Sequence, residues 1–360
     1  MSIIIFIIIL SALIIVHELG HFLVARYFKI RVDEFGLGFP PRAKTLFSWK
    51  GTPFTLNWLP FGGFVKIFGE NPTEGENQIA LNPESFASKN RGIQASVLVA
   101  GVVGNFLFAW FLFSLGFVTG LPAPTSLDLP VENAHTVIST VLPGSPADIA
   151  GLKSGDSIVS LSRNDDYSEL SPEEASLFIA RSLERVGFGV ERGGQVSQKR
   201  VVPKEGIIGD RPAVGISMDV IGTVKLPLHK ALWHGFKTTV ELTIQTGQAI
   251  LGFISQALTG KADLSGITGP VGIVGMVGDV RELGFAYLLT FTALISINLS
   301  IINLLPFPAL DGGRLLFVAI ETIIRRPVSP RIFNVLNVVG FALLILLMVF
   351  ITIQDIRNII

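Results

Sequence analysis

Four apolar segments of about 20 residues constrain the fold of this chain more than any other feature, because a helix of that length crosses a bilayer. Apolar residues make up 49% of the 360 residues and charged residues only 16%, as expected for a protein with much of its surface in lipid. We therefore predict a polytopic α-helical membrane protein with about four transmembrane helices. The predicted spans are Ser2–Val24, Ala95–Val118, Gly284–Leu305 and Phe333–Ile353.

The first span carries the sequence HELGH at residues 17–21, directly after the apolar run Ile3–Val16. Residues four apart lie on one face of a helix, so His17 and His21 can direct two imidazoles at one ion, with Glu18 beside them to handle a proton. Imidazole pairs suit Zn²⁺, and ionisable side chains within a membrane span are functional by default. The alternative is a soluble helix with two hydrogen-bonded histidines, for which Ile3–Val16 is too apolar.

A catalytic zinc bound by two histidines needs one more protein ligand, and the chain has no cysteine to supply a thiolate. The candidate is Asp311 in NLLPFPALDGGR (residues 303–314), because it and the histidines are expected at the cytoplasmic ends of their spans. Pro306 and Pro308 break the helix there, and non-helical backbone at membrane depth must be buried or line a cavity. The alternative is a helix-end carboxylate that pairs with Arg314. His135, His229 and His234 are not expected to bind metal.

Arginine and lysine are concentrated between the first two spans and between the last two. By the positive-inside rule, both connections are expected in the cytoplasm, with the N-terminus, residues 120–283 and the C-terminus outside. The first span has neither a preceding basic region nor a small-residue cleavage site before His17. We therefore expect it to be retained rather than removed as a signal peptide.

The second span contains AGVVGNFLFA at residues 100–109. Its small residues Ala100, Gly101 and Gly104 should let another helix approach closely. Asn105 is expected to donate an interhelical hydrogen bond rather than to act in catalysis.

The segment Phe54–Phe68 alternates aromatic and β-branched residues and is interrupted by Pro60 and Gly62, which predicts a β-hairpin or bent strand. It is also unusually apolar for a soluble loop. Two interpretations are open. The segment is either a ribbon at the membrane surface without a role in the chemistry, or a strand edge that captures an extended peptide beside the metal.

Residues 120–225 are more polar and rich in turn residues. Val137–Ser162 predicts a strand, a short helix and a second strand, followed by a helix at Pro172–Arg185 and strands at Val186–Arg192 and Gln198–Lys204. This order resembles a PDZ domain of α+β type, which would either bind a peptide by strand addition or serve as a spacer. Four domains are predicted. They are a first membrane half with the β element (residues 1–119), the PDZ-like domain (120–225), an amphipathic membrane-surface segment that includes Leu226–Gly260 (226–283), and a second membrane half (284–360).

Together these motifs resemble the site-2 protease family of intramembrane zinc metalloproteases, and most closely its bacterial regulator of sigma-E protease group. The resemblance rests on HELGH, AGVVGNFLFA, the PDZ-like insert, NLLPFPALDGGR, and two further motifs, FGGFVKIFGE (residues 61–70) and SGITGPVGI (residues 265–273). It implies zinc on His17, His21 and Asp311, with Glu18 as general base and Asn303 as a group that positions substrate or stabilises charge. Many members of this group from Gram-negative bacteria carry two PDZ domains, whereas residues 120–225 fit only one.

The resemblance also implies regulated intramembrane proteolysis in a bacterial cell (inner) membrane, with the PDZ-like domain extracytoplasmic and the active site near the cytoplasmic side. The expected substrate is a single-span membrane protein, such as a trimmed anti-sigma factor or a signal-peptide remnant. A net charge of zero gives no indication of nucleic-acid binding. Two other functional classes fit the sequence less well: a non-proteolytic scaffold would not need Glu18, and a metal transporter would need polar residues at several membrane depths.

Overall fold

The computed structural model contains, within its described residues, four helices long and apolar enough to cross a membrane. They overlap the four predicted spans and confirm them as candidate spans. These helices are Ser2–Tyr27, Arg91–Thr119, Phe285–Leu304 and Pro330–Arg357. The structure describes residues 1–70, 82–125, 129–163, 166–168, 171–182, 184–208, 211–261, 268–326 and 328–359.

The described residues form nine α-helices, eleven β-strands and one short 3₁₀ helix at Phe86–Ser88. In chain order the elements are α1 (Ser2–Tyr27), β1 (Val32–Trp49), β2 (Thr52–Ile67), α2 (Arg91–Thr119), β3 (Leu121–Pro124), β4 (Glu132–Val141), α3 (Pro146–Ile149), β5 (Ser157–Arg163), β6 (Asp166–Ser168), α4 (Pro172–Ala180), β7 (Val186–Arg192), β8 (Gln195–Val201), β9 (Lys204–Ile208), β10 (Arg211–Ala213), β11 (Ile216–Val224), α5 (Leu228–Leu258), α6 (Pro270–Leu283), α7 (Phe285–Leu304), α8 (Asp311–Ile324) and α9 (Pro330–Ile359).

The chain divides into two compact units. The first contains most of the long helices and the β1–β2 pair, and the second contains the larger sheet. The first unit comprises Met1–Phe113, Leu232–Gly278 and Phe291–Ile360, and the second comprises Ser114–Ala231 and Asp279–Thr290. The four-part division by sequence stays a prediction.

In the first unit, small residues and hydroxyl groups hold α1, α2 and α7 together. A Cβ added to Gly20 would lie 2.2 Å from the carbonyl oxygen of Ala100, and one added to Gly104 would lie 2.9 Å from a backbone oxygen of α1. The close helix approach predicted from the small residues of α2 is therefore present. On α7, the Ser296 hydroxyl donates to the backbone carbonyl of Asn105 at 2.7 Å.

The β1 and β2 strands form a two-stranded antiparallel ribbon with several bulges. The segment Phe54–Phe68 falls mostly in β2, but its partner β1 was not recognised from the sequence. Phe22 of α1 packs against Phe35 and Phe54 at ring-centroid distances of 5.7 and 5.5 Å, which fixes the ribbon on the helix that carries the histidines. Trp58 on β2 is 72% exposed.

In the second unit, the strands β3, β11, β4, β5, β7 and β8 follow one another across one antiparallel sheet, with β6 paired to β5. Its core includes the fully buried side chains of Ile138, Leu161 and Phe188. The predicted order of strand, short helix and strand over Val137–Ser162 corresponds to β4, α3 and β5. The likeness to a PDZ domain stays a prediction.

Two element boundaries predicted in this unit were wrong. The helix expected to reach Arg185 ends at Ala180, where the Ser182 hydroxyl donates to the carbonyl of Phe178 at 2.9 Å and satisfies a terminal acceptor. The strand expected at Gln198–Lys204 is instead β8, which starts directly after a two-glycine turn and ends before Pro203, because proline has no N–H for the ladder.

The remaining predicted segments precede α7 in the chain. The amphipathic stretch Leu226–Gly260 is observed as α5. Of the motif SGITGPVGI, residues 265–267 lie outside the described residues, and the rest leads into α6.

The buried carboxylate of Asp355 on α9 caps the N-terminus of α6. It accepts hydrogen bonds from the backbone N–H groups of Gly269 and Gly272 at 3.1 and 2.8 Å, and the residue is only 6% exposed. We predict that Asp355→Ala lowers the free energy of unfolding by about 1–3 kcal/mol, because two buried donors lose their acceptor. Thermal unfolding of the detergent-solubilised chain measures this effect.

The matched control for this prediction is Asp279→Ala. Asp279 forms an ion pair with Lys153 at 3.0 Å in which both side chains are more than half exposed, so its loss should have little effect. Equal destabilisation by the two substitutions would contradict the anchoring role of Asp355.

Candidate metal centre

His17, His21 and Asp311 converge at one point in the first unit. The Nε2 atoms of His17 and His21 lie 3.0 and 3.2 Å from Oδ2 of Asp311 and 3.2 Å from each other. The ligand-type atoms of the three residues all lie within 4.8 Å of one another, and the two histidines are 9% and 7% exposed. The three residues predicted from the sequence as metal ligands therefore lie together in the structure, and their metal binding stays a prediction.

The convergence fits a bound cation. Although both Nε2 atoms are close, Oδ2 of Asp311 is buried and has no hydrogen-bond partner among the described residues. A buried carboxylate oxygen without a partner is costly, and a metal ion at the meeting point of two imidazoles and a carboxylate would satisfy it. A set of two nitrogen ligands and one oxygen ligand is typical of catalytic zinc, with a fourth position left open.

His21 is oriented by the backbone of α2. Its Nδ1 lies 2.8 Å from the carbonyl oxygen of Val97. Since a carbonyl only accepts, Nδ1 is assigned the proton, and the lone pair of Nε2 faces Asp311. This is the arrangement in which histidine binds a metal through Nε2.

Asp311 is presented by the sharp start of α8. Pro306 and Pro308 precede it, as the sequence analysis expected of a helix break. A Cβ added to Gly312 or Gly313 would lie 2.2 Å from a backbone oxygen of residues 304–307, so both positions require glycine. The LDGG sequence thus lets the chain turn tightly enough to point Asp311 towards the histidines.

A cleft of about 760 Å³ opens beside these residues. Glu18 lies in its wall, with Gly63 of β2 so close that an added Cβ would be 3.7 Å from Glu18 Cγ. Within the described part of the chain, the cleft is lined by His17, Glu18, His21, Asp33, Phe39, Phe64, Val65, Lys66, Ile67, Phe68, Gly69, Glu70, Ala309, Asp311 and Arg314. Asn303 is half-buried near the end of α7 and is not among these lining residues, so its role stays a prediction.

Arg314 forms an ion pair with Glu70, which follows β2. The alternative in which Asp311 only pairs with Arg314 is disfavoured by the two imidazoles, whose Nε2 atoms lie 3.0 and 3.2 Å from Oδ2 of Asp311. The ion pair also ties the end of the ribbon to the start of α8 at the rim of the cleft. Sequence reasoning did not identify this pair, although both residues lie in motifs that it singled out.

Gly101 and Asn105 of α2 are further site residues whose place in the site was not foreseen. A Cβ added to Gly101 would lie 2.3 Å from His21 Nε2 and 2.7 Å from His17 Cε1. Asn105 Nδ2 lies 3.4 Å from His17 Nδ1. Both residues stand in AGVVGNFLFA, whose small residues indicated helix packing but not contact with the histidines.

The comparisons with known proteins agree on one family. The sequence profile described as Peptidase family M50 matches residues 5–347. The chain is 31% identical to zinc metalloprotease RasP of Geobacillus kaustophilus, over 99% of this chain and 98% of that protein. It is 28% identical to zinc metalloprotease RasP of Oceanobacillus iheyensis, over 99% of each chain, and 29% identical to regulator of sigma-E protease RseP of Escherichia coli, over 95% of each chain.

Proposed function

The chain belongs to peptidase family M50, the site-2 protease family of zinc metalloproteases, and on this basis we propose that it hydrolyses peptide bonds of membrane proteins. The proposed active site is a zinc centre formed by His17, His21 and Asp311. The observation that carries the proposal is the convergence of these three side chains beside Glu18 in one cleft. The chemistry that zinc supplies when bound is polarisation of a carbonyl and acidification of water.

In this proposal Glu18 is the general base. Its carboxylate takes a proton from the attacking water and returns it to the nitrogen of the leaving amine, so that proton transfer accompanies both bond formation and bond breaking. Asn303 is proposed to donate a hydrogen bond to the developing oxyanion once a substrate is bound. Its position near the end of α7, a short loop before Asp311, is compatible with this role.

The substrate is proposed to bind as an extended strand along the ribbon. A helical backbone engages its carbonyl groups in internal hydrogen bonds, so a transmembrane substrate must unwind before it is cut. In the sheet of the described residues, β1 and β2 pair only with each other, and Phe64 to Ile67 of β2 line the cleft beside Glu18. A strand edge there would hold an unwound segment in place by backbone hydrogen bonds.

The proposed substrates are single-span membrane proteins of the trimmed anti-sigma type, or signal-peptide remnants. The name of the Escherichia coli relative, regulator of sigma-E protease, supports the first class. Residues 120–225 are proposed to be an extracytoplasmic PDZ-like domain that excludes substrates with intact ectodomains, while the active site lies near the cytoplasmic side of the inner membrane.

The proposed function is tested with the purified full chain and a single-span reporter protein. We predict that wild type cleaves the reporter within its apolar span, that prolonged dialysis against a strong chelator abolishes cleavage, and that added zinc restores it. Mass spectrometry of the products locates the cut. His234→Ala serves as a control and should behave as wild type, whereas cleavage that persists in the chelated protein would contradict the proposal.

The filter role is tested by deleting residues 120–225. Leu121 pairs with Val224 in the sheet, so the ends of the deleted segment are neighbours and a short glycine-serine linker can join them. We predict that the deletion variant cleaves a reporter with an intact ectodomain about as fast as a trimmed one, whereas wild type prefers the trimmed form. Cleavage of the trimmed reporter shows that the variant is folded, and unchanged selectivity would contradict the filter.

A further inference from the structure

One face of α2 supports both histidines. Val97, Gly101 and Asn105 are spaced by four residues, so they lie on the same side of this helix. The carbonyl of Val97 accepts the hydrogen bond from His21, and Gly101 leaves the space that the two imidazoles occupy. Asn105 is the residue on this face that approaches His17, with its Nδ2 3.4 Å from Nδ1.

We propose that Asn105 is a positioning residue, which holds His17 in its metal-binding tautomer by accepting a hydrogen bond from Nδ1–H through its amide oxygen. The inference rests on the proposed metal site and deepens it. It assigns to Asn105 the role that the Val97 carbonyl has for His21, and it reverses the donor role expected for Asn105 from the sequence.

A metal ion at this site determines which ring nitrogen of His17 carries the proton. A neutral imidazole carries one N–H and one lone pair. Nε2 of His17 faces Oδ2 of Asp311 and Nε2 of His21, so a metal ion at this point takes the lone pair of Nε2. The proton is then on Nδ1, which needs an acceptor because the histidine is buried.

The side chain of Asn105 is completely buried. Its Oδ1 has no hydrogen-bond partner among the described residues, a state that costs about 1–3 kcal/mol. A half-turn of the amide exchanges Oδ1 and Nδ2 without changing its shape, and brings Oδ1 next to Nδ1 of His17. The exchange gives the oxygen a donor and the metal-binding tautomer its acceptor, and it moves Nδ2 to the place in which Oδ1 has no partner among the described residues.

The observed amide orientation matches the other tautomer. With Nδ2 towards His17, the amide donates to an unprotonated Nδ1, and the proton of His17 is then on Nε2. This is the arrangement suited to a site without metal. An asparagine can serve both tautomers by turning its amide, whereas a carboxylate only accepts and a backbone carbonyl cannot turn.

The test compares zinc affinity in Asn105→Leu and Asn105→Asp with wild type, by competition with a chelating dye. Leucine has a similar size and no hydrogen-bonding group. We predict that Asn105→Leu loses zinc affinity by about 10- to 100-fold, the usual effect of removing a hydrogen-bond partner of a metal-binding histidine. Aspartate keeps an acceptor and should restore affinity to within a few-fold of wild type. Wild-type affinity in Asn105→Leu, or equal losses in both variants, would overturn the proposal.

A spectroscopic measurement on the wild type keeps the proposal testable if a variant does not fold. The chain has only five histidines, so ¹⁵N-histidine labelling gives few ring signals, and His17→Ala identifies those of His17. We expect the proton on Nδ1 in the zinc-loaded protein and on Nε2 in the metal-free protein. A proton on Nε2 with zinc bound would overturn the inference.

The metal site and the role of Asn105 are tested by different variants. If His17→Ala binds zinc as tightly as wild type, the proposed metal site itself is wrong. If His17→Ala loses zinc but Asn105→Leu does not, only the role of Asn105 is wrong. Thermal unfolding of the metal-free proteins separates positioning from packing, because a packing role alone would lower the stability of Asn105→Leu without changing its zinc affinity.

Discussion

Replacing Glu18 with glutamine is expected to leave zinc bound and to lower the cleavage rate by about 10²- to 10⁴-fold, the usual contribution of a positioned general base. Glutamine has nearly the same shape and fills the same place in the cleft wall, but its amide does not accept a proton at neutral pH. Zinc content and initial rates on a single-span reporter, measured on the same detergent-purified samples, test both parts of this prediction.

The matched control for Glu18→Gln is Glu241→Gln on α5, where an exposed glutamate pairs loosely with Lys237 at 3.7 Å. It should keep the wild-type rate. Equal cleavage by wild type and Glu18→Gln would remove Glu18 as the base. Zinc binding without cleavage by either protein, over several reporters, would favour a non-proteolytic scaffold.

Replacing Gly101 with alanine is expected to reduce zinc affinity by more than about 100-fold, beyond the effect of losing a supporting hydrogen bond. The added methyl group would lie 2.3 Å from Nε2 of His21 and 2.7 Å from Cε1 of His17, so at least one imidazole must leave its place. Cleavage should be lost together with zinc. Alanine favours a helix over glycine, so the loss would not come from weaker helix formation.

The control for Gly101→Ala is Gly252→Ala on α5, where an added Cβ meets nothing within 4 Å. This variant should bind zinc and cleave as wild type, and its stability should rise slightly. Competition with a chelating dye gives the affinities of both. If Gly101→Ala binds zinc as tightly as wild type, the histidines do not occupy the metal-binding positions described here.

The parts of the site that the sequence predicted depend on local periodicity and on membrane depth. The spacing of His17 and His21 predicts that they lie on one helix face, and the distribution of arginine and lysine predicts that Asp311 lies at the same level of the membrane. Neither step needs the packing of the helices. This is why His17 and Asp311, almost 300 positions apart in the chain, can be assigned to one site from the sequence alone.

The parts that the sequence did not predict depend on non-local packing. Val97 acts through a backbone carbonyl, which every residue has, so its side chain gives no signal. Gly101 acts through the absence of a side chain, and glycine in a membrane helix indicates close packing without showing what packs there. The strand β1 was missed because its pairing with β2 is shifted by repeated bulges, which disturb the alternation expected of a strand.

The measurement that tests the account most directly is the zinc content of single alanine variants at all five histidines and at Asp311. The chain has no cysteine, so this panel covers every imidazole ligand that it offers and leaves no thiolate as an alternative. We predict that wild type and the variants at His135, His229 and His234 bind about one zinc ion per chain, and that those at His17, His21 and Asp311 do not. Retention of zinc at any of the last three positions, or its loss at any of the others, would contradict the proposed centre.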